Sequence, residues 1–387
     1  MGMEAGSPHE SFYKEKAEQF TAETGIGVEI LGVPHDNMHQ QFLSDAVAAG
    51  GAHDVLMVDQ PWVAEFAANG YLASLDERLS DEDRDDFIEG TLDTVSYEGA
   101  VYGLPFLVHN QVMYYRPSLL EAAGYDSPPA TWEQYREIAA ATTDAAAGTF
   151  GTMIPGNRDG EVATRFMSYV QQAGGDIVDE NLRPAIENDA ALEAFAMMQQ
   201  IQFEDGSSPE GLHDLSAIQG QFLEGKIAMV AQWPYMWAMA TDPEQSKVVD
   251  DVAVALDPGN PDQVATTFAW GLGVSASSDD QDAAWEFVHW ATSGEVLAAK
   301  AIEQLSPVPR VSSMEALAAA EEVSEADRAA LAVFGESVAR SRTMPMTPAF
   351  PQYQTAIAEA VSAVMSGQAT PEAALRQAQS QMEQAAG

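Results

Sequence analysis

An α/β architecture of more than one domain, with sheets flanked by helices, is the fold class this sequence predicts, on three observations. Strand-like and helix-like periodicities alternate from the first residues onward. One segment, Asp54-Val55-Leu56-Met57-Val58-Asp59, is a continuous apolar run closed by acids at both ends. The 387 residues also exceed what one ordinary core organises, so two domains of about 150 to 200 residues are expected. An unbroken apolar run marks a strand buried on both faces, which a sheet covered by helices on each side requires. Alternating strands and helices argue for a doubly wound domain, whose ligands lie beyond the carboxyl ends of the strands.

The elements follow in order. Ser7-Pro8-His9-Glu10 reads as a helix start: Ser caps, Pro takes the first helical position and Glu stands three residues after the cap. Tyr13, Ala17 and Phe20 recur at helical spacing, and Gly25 closes the helix. A strand over Val28 to Val33 precedes a helix carrying Met38, Phe42, Ala46 and Val47. After the buried strand, Gln60-Pro61-Trp62 opens a helix that ends near Asn69-Gly70. Tyr97 to Gly103 has the pattern of a hairpin, and Val112 to Arg116 that of a strand followed by a helix from Pro117 to Gly124. Thr131-Trp132-Glu133-Gln134 is a second capping box, opening a mostly helical stretch to about Ala240. Asp251 to Leu256 and Thr266 to Ser275 return as strands, and the Ala-rich tail is helical.

Within that stretch, Gln219 to Met239 combines a deceptive motif with an informative one. Gly220, Gly225 and Lys226 have the spacing of a phosphate-binding loop, but Ile227 stands where the motif needs Ser or Thr. The context is also inverted, since a helical pattern precedes Gly225 and a strand-like run, Ile227 to Ala231, follows it. A nucleotide is therefore not expected. Trp233, Tyr235 and Trp237 come directly after that strand, around Pro234.

Composition removes several function classes. Seventeen basic residues, five of them Lys, face 60 acidic ones, for a net charge of −43. So negative a surface repels nucleic-acid phosphates and anionic membranes. It also disfavours phosphate or sulfate as ligand. The 46% hydrophobic share is that of a folded globular protein. There is no cysteine, hence no disulfide, thiol nucleophile or Cys-rich metal site. No apolar run reaches the roughly 18 residues of a membrane span. No secretory signal is visible, and Met1-Gly2-Met3 reads as an added start before a processed terminus. Neither GxSxG nor HExxH occurs, and chance pairs among 60 acids give a glycosidase no specific support. His35 and His39, four apart, lack a third ligand and read as an exposed helix face.

The run helix–Glu224-Gly225-Lys226–Ala228-Met229-Val230–Gln232-Trp233-Pro234-Tyr235 resembles the sugar-type extracellular solute-binding proteins that serve ABC importers. Similar matches occur in order along the chain: Phe20 to Ile26, Asp54 to Asp59 with Trp62, Gly70-Tyr71-Leu72, Tyr102 to Pro105 with Asn110, Tyr114-Tyr115-Arg116, Thr131-Trp132 and Pro307-Val308-Pro309-Arg310. The resemblance implies a type II periplasmic-binding-protein-like fold, two α/β lobes joined by hinge crossings, with a sugar held between them. On that pattern one lobe takes residues 1–108 plus 258–310, and the other 109–257 plus 311–387. It further implies a non-enzymatic, monomeric, extracytoplasmic receptor, periplasmic or lipid-anchored. Its partners would be a mono- or disaccharide or polyol and the permease subunits, with no cofactor and no metal. Family members begin with a strand, and only Met3 to Gly6 remain here to supply one.

A sugar presents hydroxyls and apolar C–H faces, so its site needs planar aromatics and fixed polar groups. Trp62, Trp233, Tyr235 and Trp270, the last followed by Gly271, are the candidate platforms, whereas Trp132, Trp285 and Trp290 lie on helical faces and read as core. The polar candidates are His9, Glu10, Asp59, Gln60, His109, Asn110 and Arg310. Asp59 equally suits a helix cap and Glu10 a capping box, while Arg310 could meet a ligand oxygen or anchor a hinge to an acid. Two alternatives remain at this point, a ferric-ion receptor using Tyr114 and Tyr115 and a carbohydrate-active enzyme. Successive strand residues point to opposite faces, which disfavours both tyrosines reaching one metal.

The charge excess carries a prediction of its own. Molar salt screens self-repulsion to within a few ångströms, so a protein built for a high-salt habitat melts at steeply rising temperature as NaCl increases. A melting temperature that stays flat up to molar salt would remove the halophilic reading.

Overall fold

The computed structural model describes residues 1–48 and 50–387. The chain divides into two compact units. Unit 1 comprises Met1–His109, Phe268–Ser324 and Met346–Phe350; unit 2 comprises Asn110–Thr267, Glu325–Pro345 and Pro351–Gly387. These divisions fall at 109/110, 267/268 and 324/325, with a short return at 346–350, beside the sequence-based boundaries of 108/109, 257/258 and 310/311.

Unit 1 is built on a mixed sheet. Strand β1 (Gly2–Glu4) pairs parallel with β2 (Leu31–Val33) on one side and β3 (Val55–Asp59) on the other. The opening strand is therefore present, although Gly-Met-Glu carries no periodicity that would announce it. The second strand is shorter than its sequence pattern, beginning at Leu31 instead of Val28. A small hairpin, β4 (Ser96–Tyr97) and β5 (Ala100–Val101), precedes β6 (Leu104–His109). In unit 2, β7 (Val112–Tyr115) is the central strand of an antiparallel sheet between β8 (Met229–Gln232) and β9 (Ala253–Ala255).

Strand β10 (Thr266–Val274) is buried along its whole length. Its first two residues pair parallel with β11 (Arg342–Thr343) in unit 2. The remainder lies antiparallel between β3 and β6 in unit 1. Because both neighbours run against β10, β1, β3 and β6 all run the same way, and their carboxyl ends share one edge of the unit 1 sheet.

Local chemistry accounts for the helix ends that deliver residues to these edges. Ser7 Oγ accepts from Glu10 N–H at 3.1 Å, and Pro8 occupies the first turn of the helix Pro8–Thr24. The helix Leu215–Leu223 ends in a left-handed Gly225 (φ +77°), with Gly225 N–H donating to Phe222 O and Lys226 N–H to Gln221 O. Those two bonds form a Schellman motif, whose positive φ suits glycine. The phosphate-loop spacing is thus a helix exit into β8.

Unit 2 is pinned by a buried ion pair. Arg165, on the helix Gly160–Gln172, meets Asp257 through Nη1 at 2.5 Å and Nη2 at 3.0 Å, both residues being 3% exposed. Gln172 Nε2 donates to Asp257 Oδ2 at 2.6 Å, and Trp132 Nε1 donates to Gln172 Oε1 at 3.0 Å. The guanidinium lies 4.3 Å from the centre of the Tyr169 ring. Removing one charge of such a pair leaves the other buried without compensation. Arg165→Met should lower unfolding free energy by about 3–5 kcal/mol, read as a reduced urea midpoint at unchanged slope. The double variant R165M/D257L should recover most of that loss; equal losses for single and double variants would show that the carboxylate tolerates its isolation.

Candidate functional site

Most of the candidate residues of unit 1 converge on the carboxyl edge of its sheet. Asp59 ends β3 and precedes the helix Gln60–Ala68, but its side chain does not cap that helix. Gln60 is 1% exposed; its Nε2 reaches only Met346 Sδ at 3.8 Å and its Oε1 has no hydrogen-bond partner among the described residues. Trp62 and Trp270 meet edge to face, with ring centroids 5.7 Å apart and planes at 89°. The ladder explains the meeting: Trp270 of β10 stands in register with Asp59 of β3. His39 packs on Trp62 at 5.3 Å and pairs with Glu65 at 2.6 Å, and His35 lies 6.0 Å from Trp270. His39 is therefore half-buried against the platform, a correction to the exposed-face reading.

Gly271 has a packing role. A Cβ there would lie 2.7 Å from Val95 Cγ1, so Val95 closes the space beside it. Glu10 is engaged by the helix start, its Oε2 accepting from Gly6 N–H at 2.7 Å and its Oε1 pairing with Lys14 at 2.8 Å. The bond from Lys14 is the main cause that holds its carboxyl below the ordinary range. Arg310 is committed as well. Its Nε donates to Thr292 O at 2.6 Å, Nη1 meets Asp86 at 3.1 Å, Nη2 lies 3.5 Å from Asp83, and the group stacks on Phe87. The geometry favours the anchoring alternative over ligand contact for Arg310.

A basic cluster occupies the same edge. His109, the last residue of β6, is 7% exposed, and burial, followed by the charge of Lys300, pushes its pKa down to about 3. His9 bonds Gln304 at 3.0 Å and lies 5.4 Å from the Phe106 ring; burial, then Lys300, holds it well below the usual imidazole range. Sequence reasoning missed Lys300, on the helix Gly294–Gln304, because nothing in its neighbourhood distinguishes it from a solvated helical lysine.

In unit 2 the candidates meet at the end where β7 begins and β8 leaves. Val112 pairs with Gln232, so Gln111 and Trp233 flank the same rung from outside. Trp233 is 6% exposed and its Nε1 donates to Glu161 Oε2 at 2.9 Å. Tyr235 is 40% exposed and its hydroxyl donates to Gln219 Oε1 at 2.8 Å. Asn110 Nδ2 donates to Ser337 O at 2.8 Å, while its Oδ1 has no partner among the described residues. Gln111 is buried, and neither of its amide atoms has a partner among the described residues. Gln111 and Glu161 escaped the sequence reading; the polar run His109-Asn110-Gln111 directly before a buried strand is the signal that could have found the first.

Tyr114 is fully buried and its hydroxyl donates to Trp233 O and Pro234 O at 3.0 and 3.1 Å. That phenol is occupied in holding the turn after β8, and burial raises its pKa well above the ordinary value. Among the described residues no helix is long and apolar enough to cross a membrane.

A mannitol-binding protein of Pseudomonas aeruginosa is 28% identical over 263 residues, 66% of this chain and 60% of that relative's length. Among solved structures, maltose-bound T. maritima MalE3 superposes with a TM-score of 0.90 at 25% identity, covering 99% of this chain and 98% of that one. A solute-binding protein of Agrobacterium radiobacter in complex with ribitol gives a TM-score of 0.87 at 25% identity, over 98% and 96% of the two chains. The fold is thus the maltose-binding-protein-like type II fold. Residues 5–297 match the family described as bacterial extracellular solute-binding protein, and the chain belongs to that family.

Proposed function

We propose that this protein is the receptor of an ABC importer, binding a carbohydrate or polyol and delivering it to the membrane permease. The observation that carries the proposal is the pairing, at one sheet edge, of two edge-to-face indoles with a buried glutamine whose amide oxygen is unpartnered. Indole faces cover sugar C–H groups, and buried amides await hydroxyls. Unit 2 carries a similar grouping of its own, Trp233 with Gln111 and Asn110. The relatives that bind mannitol, maltose and ribitol support the ligand class. A neutral ligand follows from the scarcity of basic residues.

The receptor carries out no chemical step on this reading. It works as a monomer outside the cytoplasm, periplasmic or lipid-anchored, without nucleic acid, in a high-salt setting that suits its charge.

A thermal-shift panel of monosaccharides, disaccharides, polyols and ferric ion tests the proposal. A large shift with a sugar or polyol, and no product after prolonged incubation, is expected. Product formation, or a shift with iron alone, would overturn it. Within the panel, Trp233→Ala should weaken binding of the best ligand by about 1–3 kcal/mol by calorimetry while the protein stays folded. Unchanged affinity with collapsed stability would assign Trp233 to the core.

A further inference from the structure

Lys300 alone of the five lysines is buried, at 0% exposure. Its Nζ has no hydrogen-bond partner among the described residues and lies 5.4 Å from the centre of the Phe106 ring. His9 also packs on Phe106, and Gln304 ties His9 and Pro8 O to the end of the lysine's own helix. His109 completes the group, near enough that Lys300 perturbs its titration and that of His9. Glu303, on the same helix and itself exposed, is the carboxylate that acts on the ammonium among the described residues. Tyr13, the remaining titratable neighbour on the Phe106 ring, donates its hydroxyl to Ala291 O.

A buried ammonium with no partner is unfavourable, and the neutral amine would still leave its N–H groups unmet. An anion resolves both problems. It would neutralise the ammonium and accept its hydrogen bonds, whereas His9, whose Nδ1–H is given to Gln304 Oε1, lines the group without a donor to spare. The cluster stands at the carboxyl edge of the unit 1 sheet, the edge that also carries Gln60, Trp62 and Trp270.

We propose that the ammonium of Lys300, beside His9 and His109, is the cation of an anion subsite that takes a carboxylate, carried either by the bound ligand as a sugar acid or by a small free anion. The proposal rests on the receptor reading and departs from its neutral ligand by admitting aldonates and uronates. The titration supports it. Burial pulls the Lys300 pKa down to about 7, so the charged form that holds the anion is lost as pH rises above that value. Carboxylate affinity should then fall by up to about tenfold per pH unit on the alkaline side.

Calorimetry with mannitol against gluconate, and glucose against glucuronate, tests the ligand source. Melting in sodium acetate tests the free-anion source. Both are run on the intact protein and on Lys300→Met, with K300Q as a second variant should the first fold poorly. We expect the wild type to prefer the acid by about tenfold or more near neutral pH, an order-of-magnitude figure for one buried charge pair. The preference should decline at alkaline pH and vanish in both variants. If the occupant is instead a free anion, acetate should raise the melting temperature of the wild type more than that of either variant. The subsite is overturned if acid and neutral ligands bind alike at every pH and acetate acts equally on all three proteins. Neutral sugars binding in that case would leave the receptor standing. An acetate effect that depends on Lys300, with no carbohydrate bound, would keep the subsite and sink the receptor.

Discussion

The ladder that β10 forms with β3 and β6 fixes the position of the aromatic and polar groups in unit 1. A nine-residue strand buried along its length cannot slip by one residue without exchanging the side chains on its two faces, so its register is strongly determined. That register sets Trp270 beside Asp59, brings Trp62 against it from the following helix and closes Val95 over Gly271. A bulge between Trp270 and Gly271, in the pairing with β6, re-aims the strand at this point. Since β1, β3 and β6 share one direction, His9, Asp59 and His109 arrive at the same edge although a hundred residues of chain separate the first from the last. The indoles are therefore held by backbone hydrogen bonds, and a ligand resting on them would meet a surface already organised.

Buried polar groups without partners among the described residues mark candidate ligand contacts in each unit by itself, Gln60 in unit 1 and Asn110 and Gln111 in unit 2. An unmet buried amide atom costs about 1–3 kcal/mol, and Gln60, Asn110 and Gln111 carry four such atoms between them. A ligand hydroxyl that meets one offsets the penalty, while a ligand lacking the hydroxyl leaves it in place. On the proposed receptor reading, the atoms that weaken the empty protein are the ones that set its selectivity. Trp233 works differently, because Glu161 already holds its indole nitrogen and thereby orients the ring.

Sequence periodicity makes the long elements legible, because a buried strand such as Val55–Asp59 or a capped helix such as Pro8–Thr24 states its environment in its own residues. It is silent on β1, whose three residues become a strand only through pairing with Leu31–Val33 and Leu56. Aromatics that follow a strand, as Trp233 does, can be read as site candidates from local context. Their partners cannot. Glu161 lies 72 residues from Trp233, and Asp86 lies 224 residues from Arg310. The role of Arg310 turns wholly on that distant acid, so no local pattern could decide between a ligand contact and an anchor. Gly271 misleads for a related reason, since glycine beside a tryptophan at a strand bulge looks the same whether a ligand or Val95 fills the space.

The buried cations show how the chain handles its own charge. Arg165 is met by Asp257 through two parallel bonds, and Arg310 sits between Asp83 and Asp86. In both cases a planar guanidinium is matched to carboxylates that the chain, with its 60 acids, can readily supply. Lys300 is equally buried and receives none. Acid supply cannot explain the difference, because acids outnumber bases more than threefold. Position does. Arg165 lies within unit 2 beside the segment after β9, and Arg310 is clamped by the short helix Asp81–Asp86, whereas Lys300 lies against Phe106 of β6, the strand that ends at His109. A protein carboxylate placed there would fill the space a ligand needs and cancel the charge that could recognise it. The lysine left unmatched is the one whose counterion has to come from outside the chain.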